Sequence, residues 1–291
     1  MRVKLLKTED LDSYAERTKR NHFWVGGSDG QQKIKNLRIG VAGLGGMGSN
    51  IAEIFARLGV GYLRLTDPDI IERSNINRQV IAFENTIGKK KAEASADEIR
   101  RIGKDIILDV STEGIQEHNV DAFVEGLDVV INEIDVLHID KQILLIEAAH
   151  RRGICVYTTL VVGLGIHLYK FDPANKYPAR EFLETLVQDK SIKNLVERLG
   201  QPLPPYLTGD QLTNFVQHIE TQGVPIFGGS TFLGQSLLAI RVLFDRQLIH
   251  HGDTSLPETP CLPRFLVLDP LILGFKTAEI KPNGEFIICE D

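Results

Sequence analysis

Residues Gly43-Leu44-Gly45-Gly46-Met47-Gly48 satisfy the pattern Gly-x-Gly-x-x-Gly. After a strand and before a helix, such a turn lets backbone approach a phosphate, and the first amides of the helix face the anion. Asp67 ends the next apolar run, YLRLTD, where an acid can bind ribose hydroxyls. These features alone suit a nicotinamide dinucleotide, so an NAD-dependent oxidoreductase stays open, as does a tight turn with no ligand. The stretch TDPDIIERSNINRQVIAF (66–83) contains more than that class needs. Asn75, Arg78 and Gln79 follow within twelve residues of Asp67, and Lys91 lies twelve residues beyond Gln79. Arg78 is a planar fork of donors and Lys91 a point charge, a pair suited to a triphosphate. Asp135 closes the run DVVINEID (128–135) and could share Mg²⁺ with phosphate oxygens at a strand's carboxyl edge. Two cations, one acid and a glycine turn describe ATP with Mg²⁺ better than a nicotinamide cofactor. Each cation and the acid has a plainer reading. Lys91 could be a helix-surface lysine in the run Lys89-Lys90-Lys91, Arg78 a surface ion-pair partner, and Asp135 a loop cap. All three being incidental is much less expected than any one.

The elements that must position these residues alternate. LRIGVAG (37–43), YLRLTD (62–67), DIILDVST (105–112), DVVINEID (128–135) and ICVYTTLV (154–161) read as strands. Residues 49–59, 88–102 and 140–153 read as helices, the first ended by Gly59. This rhythm predicts an α/β, Rossmann-like, mainly parallel sheet with right-handed crossovers and helices on both faces. Four segments are expected. Residues 1–36 form a polar, partly helical lead-in that packs on the core or on a partner subunit, and residues 37–172 form the nucleotide-binding core. Residues 173–223 form a helical insertion, with helices at 180–200 and 209–222 joined by QPLPPYL (201–207). Residues 224–291 supply a helix at 229–244 and strands at 266–273, 275–281 and 285–290, with a hairpin turn at Pro282-Asn283-Gly284.

Composition narrows the class. The chain has 291 residues, 43% of them hydrophobic and 25% charged, and is long enough to bury a core without staples. A net charge of -6 gives no broad footprint for nucleic acid. The three cysteines, Cys155, Cys261 and Cys289, are too far apart for a CxxC zinc or redox pair. Sparse, odd cysteine usage fits a reducing compartment. The first residues hold no apolar core of signal length, and no stretch reaches the ~18 apolar residues of a membrane span. The expectation is a cytoplasmic protein with no membrane association. Cys155, in an apolar strand, is read as a core residue, His22 as a surface residue, and His167 as lying on the polar face of a strand.

At this point the residues match a family. GLGGMGSN, TDPDIIERSNINRQVIAF, TIGKKKAE and INEID together resemble the ThiF/MoeB/HesA adenylyltransferases, relatives of the ubiquitin-activating enzymes. The lead-in RTKRNHF and the later PIFGGSTFLGQSLLAIRVLF and LVLDPLILGF extend the resemblance through the chain. It implies a parallel-centred sheet extended by antiparallel C-terminal strands, and a homodimer. It also implies a reaction in which a carboxylate attacks the α-phosphate of Mg·ATP, leaving an acyl-adenylate and pyrophosphate. The acceptor would be the C-terminus of a ubiquitin-like carrier protein, a peptide or a small acid. Carried across by position, Gly43, Gly45 and Gly46 approach the phosphates, and Asp67 binds the ribose with Asp69 nearby. Asn75, Arg78, Gln79 and Lys91 line the polyphosphate, and Asp135 carries Mg²⁺. Arg20 matches an arginine that reaches the neighbouring subunit's site, with Arg17 a second candidate.

The sequence also departs from the family. The paired CxxC motifs of many members are missing, so no structural zinc is expected. The segment 172–223 has no cysteine for a thioester or sulfur relay. Val136 follows Asp135 where members commonly have asparagine, which resembles the branch acting on threonylcarbamoyladenosine in tRNA. A tRNA substrate is therefore not excluded, and a non-catalytic ATP-binding relative is a further alternative.

Overall fold

In a computed structural model, residues 8–175, 177–187, 201–281 and 285–289 are described. The chain opens with α1 (Thr8–Thr18), a 3-10 turn (Lys19–Asn21) and α2 (Gly27–Asn36). Then the alternation begins with β1 (Arg38–Ala42), α3 (Gly48–Leu58) and β2 (Tyr62–Thr66). A 3-10 turn (Arg73–Asn75) and a long loop lead into α4 (Lys91–Ile102) and β3 (Ile107–Ser111). A short helix, α5 (Val120–Val124), precedes β4 (Val129–Asn132); α6 (Ile139–Arg151) precedes β5 (Cys155–Val162). The remaining elements are β6 (Gly165–Phe171), α7 (Ala179–Val187), α8 (Gly209–Gln222), α9 (Gly228–Asp245), β7 (Arg264–Asp269), β8 (Gly274–Ile280) and β9 (Phe286–Ile288).

Among the described residues the strands form one sheet in the order β3-β2-β1-β4-β5-β6-β7-β8-β9. The first five are parallel, in the register Arg38 with Tyr62 and Ile39 with Val129. From β5 onward every pairing is antiparallel, beginning with Val156 opposite Phe171. The central strands are apolar on both faces because helices cover both. On one side Ile39, Val41, Leu63 and Leu65 pack with Phe55 of α3 and Leu238 and Val242 of α9. On the other, Val130 and Val156 pack with Phe123, Ile143, Ile146 and Phe182 of α5, α6 and α7. The strand order reverses between β1 and β4, the switch point where open α/β sheets take ligands at the carboxyl edge.

Two strand ends differ from the sequence expectation by three residues or more. β4 stops at Asn132, so Glu133 to Asp135 form a loop. β7 stops at Asp269, whose Oδ1 accepts the Leu271 N–H at 2.9 Å and so begins the turn to β8. In both places a short polar side chain offers the backbone a turn in place of the ladder. The end of the expected helix 180–200 and the expected turn at 282–284 lie outside the described residues.

The lead-in is fastened to the far end of α3. Gly59 ends that helix with φ +96°, and an added Cβ there would sit 2.6 Å from Gln31 Nε2. Tyr14 Oη donates to the Gly59 carbonyl at 2.9 Å, and Gln31 Nε2 donates to that of Leu58 at 2.8 Å. Among the described residues no helix is long and apolar enough to cross a membrane.

Candidate nucleotide site at the carboxyl edge

The glycine turn joins β1 to α3 and is enclosed on three sides. Gly43 has φ +87°, and an added Cβ would lie 2.2 Å from the Glu133 carbonyl oxygen, so side chains are excluded there twice over. Behind the turn, Asp67 Oδ2 accepts the Leu44 N–H at 2.5 Å, and its Oδ1 accepts the Asp69 N–H at 2.8 Å. Burial pushes the Asp67 carboxyl up against the pull of the Leu44 N–H and of the Lys91 charge. Both Asp67 oxygens thus hold backbone, fixing the glycine turn to the loop after β2. In front, a Cβ on Gly46 would meet Arg78 Cγ at 2.9 Å, and one on Gly45 would lie 4.0 Å from Gln79 Nε2. Among the described residues the Gly45 and Gly46 N–H groups have no protein acceptor.

Arg78 and Gln79 are presented by the turn at 73–75. Asn75, itself buried, accepts the Glu72 N–H on Oδ1 at 3.1 Å, and its carbonyl accepts the N–H groups of both Arg78 and Gln79. Asn75 therefore builds the loop that carries the other two. Half-buried Arg78 donates to the Ser74 carbonyl at 3.0 Å and to Asn77 Oδ1 at 2.8 Å, and it meets no carboxylate among the described residues. Desolvation lowers its pKa accordingly. Gln79 is buried, and its Oε1 has no hydrogen-bond partner among the described residues. Lys91 opens α4, where its side chain is 11% exposed and ion-paired at 2.9 Å with exposed Asp69. The site thus gathers Gly43, Gly45, Gly46, Asp67, Asp69, Asn75, Arg78, Gln79 and Lys91 around one turn.

Two sequence readings need correction, and two residues lie off the turn. Asp135 is exposed in the loop beyond β4, with Oδ1 accepting the Leu137 N–H at 2.9 Å. It is near the turn through its neighbour, since a Cβ on Gly43 would lie 2.8 Å from Ile134 N. Arg17 is not free to serve any neighbour: it holds Asp105 at 3.0 Å and the Ala56 carbonyl at 2.7 Å. His167 is buried, not on a polar face; it contacts Tyr169 Oη at 3.1 Å and packs on Phe265, and burial pushes it down to about 3. Arg20 is exposed in the turn Lys19–Asn21, which Asn21 ties to the Leu58 carbonyl at 3.2 Å. The length of α3, roughly 16 Å at 1.5 Å per residue, separates it from the glycine turn of its own chain.

The sequence reading missed Glu133. Its Oε1 accepts from Thr159 Oγ1 at 2.7 Å and Thr159 N at 3.2 Å, and burial pushes the carboxyl up to about 8. Gln235 of α9, fully buried, bridges to both groups. Nothing in the local sequence pattern marks this cluster, because its members come from three distant elements.

The residues fit a polyphosphate: two backbone N–H donors in the turn have no acceptor among the described residues, an arginine without a carboxylate partner lies against Gly46, and the Gln79 amide nitrogen lies against Gly45. A metal fits less directly. Among the described residues no cluster of three His, Cys, Asp or Glu could hold one, and Asp135 offers a single carboxylate. A magnesium ion there would draw its other ligands from phosphate and water.

An open α/β sheet with a glycine turn at its switch point, and beside that turn an arginine that meets no carboxylate among the described residues, is the arrangement in which such sheets take nucleotides. The ThiF family model matches residues 18–227, and the chain belongs to the ThiF family. The SAMP-activating enzyme E1 of Haloferax volcanii is 35% identical over 109 residues, 38% of this chain and 40% of that one. The molybdopterin-synthase adenylyltransferase of Escherichia coli is 30% identical over 115 residues, 40% of this chain and 46% of that one. The chain thus matches less than half the length of these curated relatives. Among solved structures, PaaA gives a TM-score of 0.64 at 18% identity, covering 96% of this chain and 76% of that one. The E. coli tRNA N6-threonylcarbamoyladenosine dehydratase in complex with ATP gives 0.59 at 21% identity, covering 84% and 97%. These two share the fold: a parallel core extended by antiparallel strands.

Proposed function

We propose that the chain is an ATP-dependent adenylyltransferase that activates a carboxylate as an acyl-adenylate. The observation that carries this is Arg78, a partly desolvated guanidinium against the glycine turn with no carboxylate among the described residues to neutralise it. A cation kept out of water without a counter-charge is costly unless an anion completes it. In the reaction, a carboxylate oxygen bonds to the α-phosphorus while the bond to the β-phosphate's bridging oxygen breaks, and pyrophosphate leaves with that electron pair. The protein's part is to position the groups and neutralise developing charge. Arg78 and the Gly45 and Gly46 amides hold phosphate oxygens. Lys91 exchanges Asp69 for phosphate. The freed Asp69, more exposed than Asp67, is the better placed acid for ribose hydroxyls. Asp135 would hold Mg²⁺, which would screen the phosphate charge.

Arg20 completes the site of a second subunit in this reading. It shares its segment with exposed Phe23 and Trp24, and α9 presents Phe232 and Ile240 to solvent; these are the surfaces a homodimer would cover. The acceptor is a ubiquitin-like carrier, a peptide or a small acid, and location in the cytoplasm belongs to the same reading. A second reading, action on a carboxyl group of a tRNA nucleoside, is favoured by Val136 in place of asparagine.

The test is ATP–pyrophosphate exchange with candidate carboxylates. R78A or K91A is expected to lower exchange about a hundredfold or more, roughly 3 kcal/mol of transition-state stabilisation, with melting little changed. Exchange at the wild-type rate in either variant overturns the assignment. Stabilisation by NAD and not by Mg·ATP in a thermal-shift assay would restore the oxidoreductase alternative.

A further inference from the structure

Asn50 lies in the first turn of α3, buried directly behind the glycine turn. Its amide reaches out of the helix to the loop that carries Arg78 and Gln79. Nδ2 donates to the Arg78 carbonyl at 3.2 Å, and Oδ1 accepts the Val80 N–H at 3.2 Å. One side chain thus pairs with backbone on both sides of Gln79, as a neighbouring strand would. From the other side Thr231 Oγ1 of α9 accepts from the same Nδ2 at 3.4 Å, while Asn77 Nδ2 donates to the Ile226 carbonyl at 3.0 Å just before α9. Arg78 and Gln79 sit on a long loop between β2 and α4, and Gln79 Oε1 is buried without a partner among the described residues. A loop of that length holds two side chains over a glycine turn only if its backbone is tied to the rigid element beneath.

We infer that Asn50 is a positioning residue of the nucleotide site, clamping the backbone of residues 78–80 to the first turn of α3 so that Arg78 and Gln79 face the glycine turn. This rests on the adenylyltransferase reading only for its kinetic readout; the nucleotide-binding readout stands apart from it. Asn suits the task because its amide sets a donor nitrogen and an acceptor oxygen at fixed spacing, matching a C=O and an N–H two residues apart, with a second N–H left for Thr231. Alanine supplies neither.

The experiment measures the dissociation constant for Mg·ATP by calorimetry, and pyrophosphate exchange, in four proteins: wild type, N50A, R78A/Q79A and N50A/R78A/Q79A. N50A is expected to weaken ATP binding about tenfold and to lower kcat with it, as two backbone hydrogen bonds are lost. In the R78A/Q79A background N50A should add less than about twofold, because Asn50 acts through those two side chains. A purely structural role would lower the melting temperature in both backgrounds and leave the two binding effects multiplying. Unchanged ATP affinity in N50A, or multiplying effects, overturns the inference. Should N50A fail to fold, N50S replaces it, since a serine hydroxyl is too short to span residues 78–80. ATP binding without exchange in the wild type would sink the adenylyltransferase reading, while the affinity comparison would still decide Asn50. A wild type that binds no ATP would sink both.

Discussion

At Gly46 a single methyl group separates fold from site. A Cβ there would press on Arg78 Cγ, a flexible side chain, and not on backbone. G46A is therefore expected to keep its melting temperature within a few degrees while weakening ATP binding about tenfold, measured by calorimetry. Gly43 differs, since its φ of +87° and the Glu133 carbonyl both forbid a side chain. G43A is expected to cost at least about 2 kcal/mol of stability in urea titration. His167 gives a pH-dependent term. Burial holds the folded imidazole at about 3, so the unfolded chain binds a proton first as pH falls. Stability from this group is complete above the ordinary value of 6.5 and is lost as pH drops from there toward about 3. The slope approaches roughly 1.4 kcal/mol per pH unit within that window. Urea midpoints at pH 7 and pH 4 should differ less in H167Q than in wild type.

Among the elements, the lead-in and α9 set the limits on what α3 can do. Arg17 is the clasp, tying α1 to the Ala56 carbonyl on α3 and to Asp105 just ahead of β3. Both partners are largely buried, so R17A leaves Asp105 uncompensated and is expected to cost about 3 kcal/mol. Amide exchange across α1 should accelerate most, because α2 keeps its own ties to α3 through Gln31. α9 carries Thr231, Gln235 and Leu238 on its inner side and Phe232, Ser236 and Ile240 outward. Helical spacing fixes which residues share a side, but not which side is covered. The polar residues here go inward, because Asn50 and Glu133 wait for them.

For the whole molecule, Arg20 and the nucleotide site lie at opposite edges of the sheet, so one copy of the chain does not bring them together. If a two-fold dimer joins them, R20A and R78A should each be inactive alone and recover about a quarter of wild-type exchange when mixed and reassociated. That fraction arises because half the dimers are mixed and each contains one intact site. No recovery, or a monomer in sedimentation velocity, would remove Arg20 from the proposed machinery.

The glycine turn, the strand–helix rhythm and the Asn75-Arg78-Gln79 block were legible because each is local: backbone freedom, periodicity and turn chemistry act over a few residues. The family resemblance added the antiparallel extension. Asp135 was placed one element too early, since nothing local revealed that β4 would yield to a turn at Asn132. His167 was read on the wrong face because strand alternation says that a side is shared, and only packing against Phe265 says that it is buried. Glu133, Gln235 and the clamp of Asn50 on residues 78–80 were beyond reach of the sequence. Their partners are 26 to 102 positions away, and hydrogen bonds over such spans exist only once the sheet and its covering helices have brought the groups together.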